Sequence, residues 1–409
     1  MKKRLRAFTI LMLAVASVTL SGLVLAGELS QFTAGKVQKA YELQQEAKVP
    51  EAIKMLSGLE LDRPFEQAFV NRMLGVLYWQ YGQTGKAIAK LKLAVDSGLL
   101  EDSQAWVTQR MLADLYMTEE SYSNALKYYY PLTKNIPNNE KADDLWLRIA
   151  QAHYQKQQWK SVLKSTKEYE RVTHKDSVAP LTMKLGAQLQ LRHWKGSVPT
   201  LKRLIAVEPD NRNWWMQLTS SYMRLDRPTD ALSILALAKR DGIVFSTQDT
   251  LMMAQLYAQQ GIPEVAAQLL SDLSEKQKNE ETTVEEARYW QMAKEWDNAI
   301  AGWRRASELD NKHRWHLAQL LLQQEHYQAA LRELNKVNRS GRTADIELAK
   351  ARAFYKLSQF DNALMHAKRA DEYQPSEQAK SWIHYLSAKV KLSAKERLSE
   401  DSGNKQKGT

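Results

Sequence analysis

Six glutamines stand at the same place in six of the ten units of a sequence repeat, and side-chain amides spaced in this way have a definite binding chemistry. A neutral amide both donates and accepts hydrogen bonds, so a ladder of amides could pair with the backbone of an extended peptide. Aromatic and methionine side chains between them would add adaptable apolar contact. The alternative is that they are only soluble helix formers. The six are Gln45, Gln80, Gln155, Gln190, Gln259 and Gln323.

Residue types that could support catalysis or metal binding are present, but their spacing is unfavourable. His313 and His316 lie three residues apart without the HExxH spacing or the carboxylates of a zinc site. Glu119 and Glu120 are adjacent and cannot face each other on a helix. Residues 82–86 lack the first glycine and the final Ser or Thr of a phosphate loop. We therefore predict no catalytic residue, no metal and no cofactor, and a protein that is not an enzyme.

The elements that hold these residues are indicated by ten small residues that recur at a nearly constant interval of 31 to 38 residues. We number each unit so that this residue is position 20. A small residue also occupies position 8 in nine units, with Leu185 as the exception, and large side chains recur at positions 11 and 17. The ten residues at position 20 are Ala52, Ala87, Ala125, Val162, Ser197, Ala231, Ala266, Ala299, Ala330 and Ala363.

This spacing predicts two helices, A and B, in each unit. Positions 8 and 20 lie where the two helices cross, and only small side chains let the backbones approach. Larger side chains at positions 11, 17 and 24 fill the remaining space. Proline at position 32, as in Pro64 and Pro209, ends the second helix. With 10 prolines, 16 glycines and no alternating strand-like runs, the chain is predicted to be all-α.

The joint pattern of small, aromatic and proline positions resembles the tetratricopeptide repeat (TPR) over residues 31–376. The resemblance implies an α-solenoid, a right-handed superhelix of about ten helix–turn–helix repeats, spanning residues 31–375. It also implies that positions 2, 5, 9, 12 and 13 of helix A line a concave groove for a protein partner. The spacing alone shows only that these positions share a face.

The candidate groove residues therefore come from helix A of many repeats. Trp79 and Trp315, with Tyr154 and Tyr355, are the aromatic anchors. The partner-binding set is Arg72, Trp79, Gln80, Arg110, Tyr154, Gln155, Gln190, Met223, Gln259, Arg288, Trp315, Gln323, Arg352 and Tyr355. The paired lysine, asparagine and arginine of a TPR that clamps a C-terminal carboxylate are missing from these positions.

Residues after Pro375 predict one more helix, at 376–399, which would cap the last repeat through Trp382, Tyr385 and Leu386. The polar tail at 400–409 is predicted to be disordered. The segment 274–283, between repeats seven and eight, is the loosest join. It is either a hinge or a surface loop of variable length.

The N-terminus has the composition of a targeting segment. Lys2, Lys3, Arg4 and Arg6 precede an uncharged apolar run, and small residues stand at Val24 and Ala26. This pattern predicts a secretory signal peptide at 1–26, cleaved after Ala26, with an uncleaved inner-membrane anchor as the alternative. Because both place the repeats outside the cytoplasm and the leader is of bacterial type, we predict the periplasm.

Composition narrows the class of partner. The chain contains no cysteine, which excludes disulfides, thiolate metal sites and a lipoprotein anchor. Its formal charge of +11 falls to +7 without the four basic residues of the leader. A basic balance is compatible with a soluble surface or with attraction to anionic envelope polymers or lipid. Export from the cytoplasm argues against nucleic acid, and nothing indicates a small-molecule substrate.

The combination of leader, ten repeats and no cysteine is similar to the periplasmic TPR proteins that accompany some TonB–ExbB–ExbD systems. That resemblance implies a non-enzymatic scaffold or adaptor that binds TonB-complex components in its groove and supports energised uptake across the outer membrane. The alternative is an assembly factor for outer-membrane proteins or envelope polymers, in which the basic surface would contact the polymer.

Overall fold

A computed structural model describes residues 29–173, 175–338 and 341–405 of the 409-residue chain. The predicted leader at 1–26 lies outside these residues. Every regular element in them is helical, with one short 3₁₀ helix at Asn311–His313 and no strand. The predicted all-α class is thus confirmed. Contacts divide the chain into two compact units, Met1–Pro209 and Asp210–Thr409.

The described part of the first unit contains five helix pairs. Each pair is joined by a three-residue turn, because helix B begins four residues after helix A ends. In chain order the helices are α1 (Gln31–Gln45), α2 (Val49–Ser57), α3 (Pro64–Gln80), α4 (Thr84–Asp96), α5 (Asp102–Thr118), α6 (Tyr122–Leu132), α7 (Ala142–Gln155), α8 (Trp159–Val172), α9 (Val178–Gln190) and α10 (Trp194–Val207).

Five further pairs and a final single helix make up the described part of the second unit. The pairs have the same three-residue turns. The helices are α11 (Arg212–Arg224), α12 (Pro228–Arg240), α13 (Thr247–Gln259), α14 (Pro263–Ser271), α15 (Glu280–Met292), α16 (Trp296–Leu309), α17 (Arg314–Gln323), α18 (Tyr327–Leu334), α19 (Thr343–Lys356), α20 (Phe360–Tyr373) and α21 (Glu377–Lys405). Ten helix–turn–helix repeats and a C-terminal helix, as predicted, are therefore present.

The turn inside each repeat has one fixed backbone form. In all ten described turns position 15 has a positive φ, at Gly82 and Gly261 and at eight residues that are not glycine. The N–H of the following residue donates to the carbonyl of position 11, as Gln83 does to Tyr78 and Gln158 to His153. This is the Schellman ending, in which a left-handed residue lets late helix carbonyls find partners. It reverses the chain and directs helix B back along helix A.

The small residues of the repeat form the contact between the two helices. All ten side chains at position 20 are fully buried. Gly75, at position 8, shows why size matters, since a Cβ there would lie 2.5 Å from Cγ of Leu91 on helix B. A larger side chain would force the helices apart and expose the apolar groups that they bury against each other.

The last helix packs against repeat ten. Leu386 is buried with Ala351, Ala363 and Ala367, and Trp382 lies beside them. The helix continues to Lys405, so the predicted boundary at 399 and the predicted disorder from 400 were wrong as far as that residue. Residues 406–409 lie outside the described chain.

The division between the units also differs from the hinge considered at 274–283. The chain divides at Pro209 and Asp210, between repeats five and six. Residues on both sides of the 274–283 segment share one apolar cluster, which includes Leu270, Leu273 and Tyr289. That segment therefore joins two packed repeats within the second unit.

Candidate binding surface on the first helix of each repeat

Helix A of one repeat lies beside helix A of the next within each unit. In the first unit the amide Nε2 of Gln44 donates to Oε1 of Gln80 at 2.8 Å, and Nε of Arg72 donates to Oγ1 of Thr108 at 3.1 Å. In the second, Nε of Arg212 donates to Oδ2 of Asp249 at 2.9 Å. Because neighbouring A helices are in contact, equivalent positions form a row. We call the residues at positions 2, 5, 9, 12 and 13 the A strip.

The six glutamines at position 13 are all exposed, and each is the last residue of helix A in its repeat. Gln80 accepts the bond from Gln44. The other five amides make no hydrogen bond to any described residue and face solvent. Within each unit the structure thus leaves these donors and acceptors available, as a peptide-pairing surface requires.

The aromatic anchors are less exposed to solvent than the glutamines. Trp79 is half-buried against the apolar core of repeat three, and Trp315 against that of repeat nine. Tyr154 packs edge-on against Trp159, with ring centroids 5.2 Å apart. Each ring therefore offers a partner one part of its surface and contributes the rest to the fold.

Tyr355 is occupied by the C-terminal helix. Its hydroxyl lies 2.8 Å from the hydroxyl of Tyr385, and its ring packs edge-on against Trp382. A partner in the A strip of repeat ten would meet these α21 side chains together with Tyr355. Helix α21 is thus part of the candidate surface, a role that its sequence did not indicate.

In the first unit the arginines of the A strip are bound by the protein itself. Arg110 pairs with Oε2 of Glu140 at 2.7 Å and also with Asp144 on the next helix A. In the opposite direction, Arg148 of repeat four pairs with Asp114 of repeat three at 3.1 Å. The hydroxyl of Tyr129, which is fully buried, donates to the same aspartate. These charges connect repeats three and four and leave little free charge for a ligand.

In the second unit the candidate residues are mostly exposed. Met223 is 41% exposed, and Gln259, Gln323, Arg288 and Arg352 are also on the surface. Arg288 pairs with Glu285 on its own helix at 2.9 Å. Arg352 makes no ion pair with a described residue. This strip therefore has cations that a partner can reach.

The two strips also differ in their charged residues. Those of the first unit are Arg72, Arg110, Asp114 and Asp144, which sum to no net charge. Those of the second unit are Arg224, Arg288, Lys312, Arg352, Lys356, Glu281 and Asp345, which leave three positive charges in excess. The electrostatic preference of the candidate surface thus changes from one unit to the other.

Two functional candidates lie outside the position pattern. Arg342 lies over the ring of Trp315, with its guanidinium carbon 5.5 Å from the ring centroid. His316 stacks on Trp303 with centroids 5.0 Å apart. Arg342 precedes position 1 of repeat ten and His316 is at position 6, so neither belongs to the A strip. Only the packing of helices α16, α17 and α19 brings them beside these rings.

The histidine pair considered for metal binding takes part in other contacts. His313 binds Oε1 of Glu280 through Nε2 at 2.9 Å, whereas His316 stacks on an indole. Across the described residues no group of three or more His, Cys, Asp or Glu side chains is placed to hold a metal ion. Among the helices that the structure describes, none combines the length and apolarity needed to span a bilayer.

Among the comparisons with known proteins, only the one with solved structures found similarities to this chain. No protein-family model matches the chain, and no curated protein matches it. A tetratricopeptide repeat protein of known structure from Parabacteroides merdae is 14% identical, with a TM-score of 0.36, over 65% of this chain and all of its own. The C-terminal part of a TPR repeat-containing protein from Cytophaga hutchinsonii is 14% identical with the same TM-score, over 67% of this chain and 95% of its own.

The TPR domain of P58(IPK) is 12% identical, with a TM-score of 0.25, over 88% of this chain and 99% of that domain. Such low values carry no argument about function. The assignment of a TPR-type array rests on this chain's own ten helix pairs, their common turn and the buried small residues at positions 8 and 20. The hand of the superhelix stays a prediction.

Proposed function

We propose that this chain is a non-enzymatic scaffold that binds an extended segment of a protein partner along its A strip. The observation that carries the proposal is the row of exposed position-13 glutamines beside half-buried aromatic rings. A peptide backbone laid across such a row exchanges its hydrogen bonds with water for bonds to the amides. The exposed part of each ring adds apolar contact area without ordering a flexible side chain.

The proposed compartment is the bacterial periplasm, reached through the leader at 1–26 with cleavage after Ala26. Within that compartment we propose a partner among the components of a TonB complex, so that the scaffold supports energised uptake. The support is the combination of leader, repeat number and absent cysteine. An assembly factor for outer-membrane proteins or envelope polymers is the second candidate, favoured by the formal charge of +7 outside the leader.

Site-specific photocrosslinking in cells tests the surface and names the partner. A photoreactive amino acid replaces Gln155 or Gln190 on the A strip, and in matched controls it replaces Lys164 or Lys202. The controls are equally exposed but lie on helix B of the same two repeats. Crosslinked products from envelope fractions are identified by mass spectrometry.

The expected result is a partner captured from positions 155 and 190 and absent from the controls. TonB-complex components in that product would support the uptake role, and assembly machinery or polymer synthases would move the function to envelope biogenesis. Equal capture from both helices would contradict binding along the A strip. Recovery of the chain from the cytoplasmic fraction alone would remove the compartment and both envelope roles.

A further inference from the structure

Exposed basic side chains of the second unit lie against two indole rings. Arg342 covers Trp315, and His316 stacks on Trp303, whose Nε1 donates to Oε1 of Gln291 at 2.9 Å. Burial lowers the pKa of His316, and the positive charges of His313, Arg342 and Arg288 lower it further. Arg288 and His316 stand at positions 9 and 6 of successive repeats, the two positions at which Asp114 and Arg148 of the first unit pair at 3.1 Å, so Arg288 lies beside this imidazole. We call Arg288, Trp315, His316 and Arg342 the arginine–indole cluster.

The positive charge of this cluster is only partly balanced by the protein. Glu285 pairs with Arg288 at 2.9 Å. Arg342 makes no ion pair with any residue that the structure describes, and neither does Arg352 on the next helix A. The other acids nearby are committed elsewhere, since Glu280 binds Lys312 and His313.

Two carboxylates belong to the same strip, Glu281 and Asp345, and both are exposed. Counted at the strip positions alone, the sum is three excess positive charges. Lys312 and Arg288 are paired with Glu280 and Glu285, whereas Arg342 and Arg352 have no ion partner among the described residues, and these two cations favour an anionic ligand. Guanidinium groups that are close together and exposed favour an anion that can bridge them. The half-buried indole of Trp315 beside them suits the aliphatic part of a Glu or Asp side chain or its neighbours.

We propose that the arginine–indole cluster binds a carboxylate-rich segment of the protein partner. This inference rests on the proposed function, because it specifies the chemistry of the segment that the A strip holds. Carboxylates match the planar guanidinium through two parallel hydrogen bonds. A polypeptide is favoured over a phosphate polymer because the glutamines Gln259 and Gln323 flank the cluster on the same strip and are suited to a peptide backbone.

Fluorescence anisotropy with the purified full chain tests the proposal. The probe is a short fluorescein-labelled peptide of alternating Glu and Ala, and its counterpart has Gln in place of every Glu. The test variant is Arg288→Gln with Arg342→Gln. The matched control is Arg304→Gln with Arg332→Gln, which removes the same charge from exposed arginines on helix B of repeats eight and nine.

We expect the Glu peptide to bind at least about tenfold more tightly than the Gln peptide, with affinity falling as salt is raised. The test variant should lose about tenfold or more, and the control less than about twofold. A variant with lysine at both positions should recover only part of the affinity, because it keeps the charge without the planar fork.

Three outcomes would overturn the proposal: equal binding of the Glu and Gln peptides, an equal loss in the control, or polyphosphate binding that the Glu peptide does not displace. The last would make the cluster a polymer-binding surface. The photocrosslinking result at Gln155 and Gln190 does not depend on any of these outcomes. Capture there together with failure here would leave the scaffold function standing without the acidic specificity.

Discussion

The A strips of the two units share one skeleton and use charge differently. In the first unit the strip's arginines are held inside the protein, with Arg110 on Glu140 and Asp144 and Arg72 on Thr108. In the second unit Arg288 keeps one neighbour on its own helix and Arg352 has no described ion partner. The helix pairs of the repeat therefore determine where the strip positions lie, but they do not determine whether a charged side chain there has an ion partner.

Buried charge joins successive repeats in both units, through Asp114 and Arg148 in the first and through Asp249 and Arg212 in the second. In the second unit Lys350 and His366 meet Glu347 inside repeat ten, with all three side chains nearly inaccessible. Charges between repeats bind neighbouring helices together, whereas charges within a repeat leave the strip unchanged. Among the strip arginines, Arg110 holds two repeats together in the first unit, whereas Arg288 of the second unit pairs only within its own helix.

The largest expected effect comes from breaking the network of the first unit. Asp114→Ala would leave the hydroxyl of Tyr129 without its partner and Arg148 with Asp144 alone, in a mostly buried site. We expect the free energy of unfolding to fall by about 3 kcal/mol. Urea denaturation followed by circular dichroism measures it.

The matched control for this variant is Asp230→Ala, which breaks the exposed pair with Arg227 in the second unit. It should change stability by no more than about 0.5 kcal/mol. Similar losses in the two variants would mean that charge does not support the first unit more than the second.

A smaller and symmetric effect is expected at the turns, where the two units should behave alike. Gly82→Ala in the first unit and Gly261→Ala in the second add a Cβ at a positive φ of 77° and 79°. Each should lose about 1 kcal/mol, because the left-handed region is unfavourable for residues with a side chain. Thermal or urea unfolding is the measurement.

The reverse changes sharpen the same test. Gln157→Gly and Lys294→Gly relieve that conformation at the equivalent turns and should gain about 0.5 kcal/mol. An asymmetry between units at these four positions would show that the common skeleton is not equally strained.

The smallest expected effect is a change in the stability of the fold at acidic pH. Burial works against ionisation of Asp249, but Arg212 and Ser246 hold the pKa of this carboxyl below its usual value. In the first unit the backbone N–H of Ser30 does the same for Glu66. Since both folded pKa values are depressed, the stabilisation is present above about pH 4 and is lost as pH falls through the folded pKa.

Asp249→Asn and Glu66→Gln should therefore flatten the acid limb of a stability-against-pH curve, each in its own unit. The measurement is the midpoint of urea unfolding at several pH values below about 5. An acid limb that is unchanged in both variants would show that other carboxyls dominate it.

Much of the fold could be predicted because it depends on a local period. The interval near 35 residues located ten helix pairs, and the small residues at position 20 are all buried as the packing argument required. The glutamines at position 13 were located as a surface row, and they are exposed. The turn geometry was not predicted, since only Gly82 and Gly261 among the ten position-15 residues carry the usual glycine signal.

The sequence by itself determined the helix pairs, the single repeat register and the face on which each strip residue lies, because these follow from spacing along one helix. Only the tertiary structure decided which charges find partners. Arg110 is bound by Asp144, 34 residues away, and Arg342 lies over Trp315, 27 residues away. Such contacts depend on how whole helices are placed against each other, and no local pattern specifies that placement.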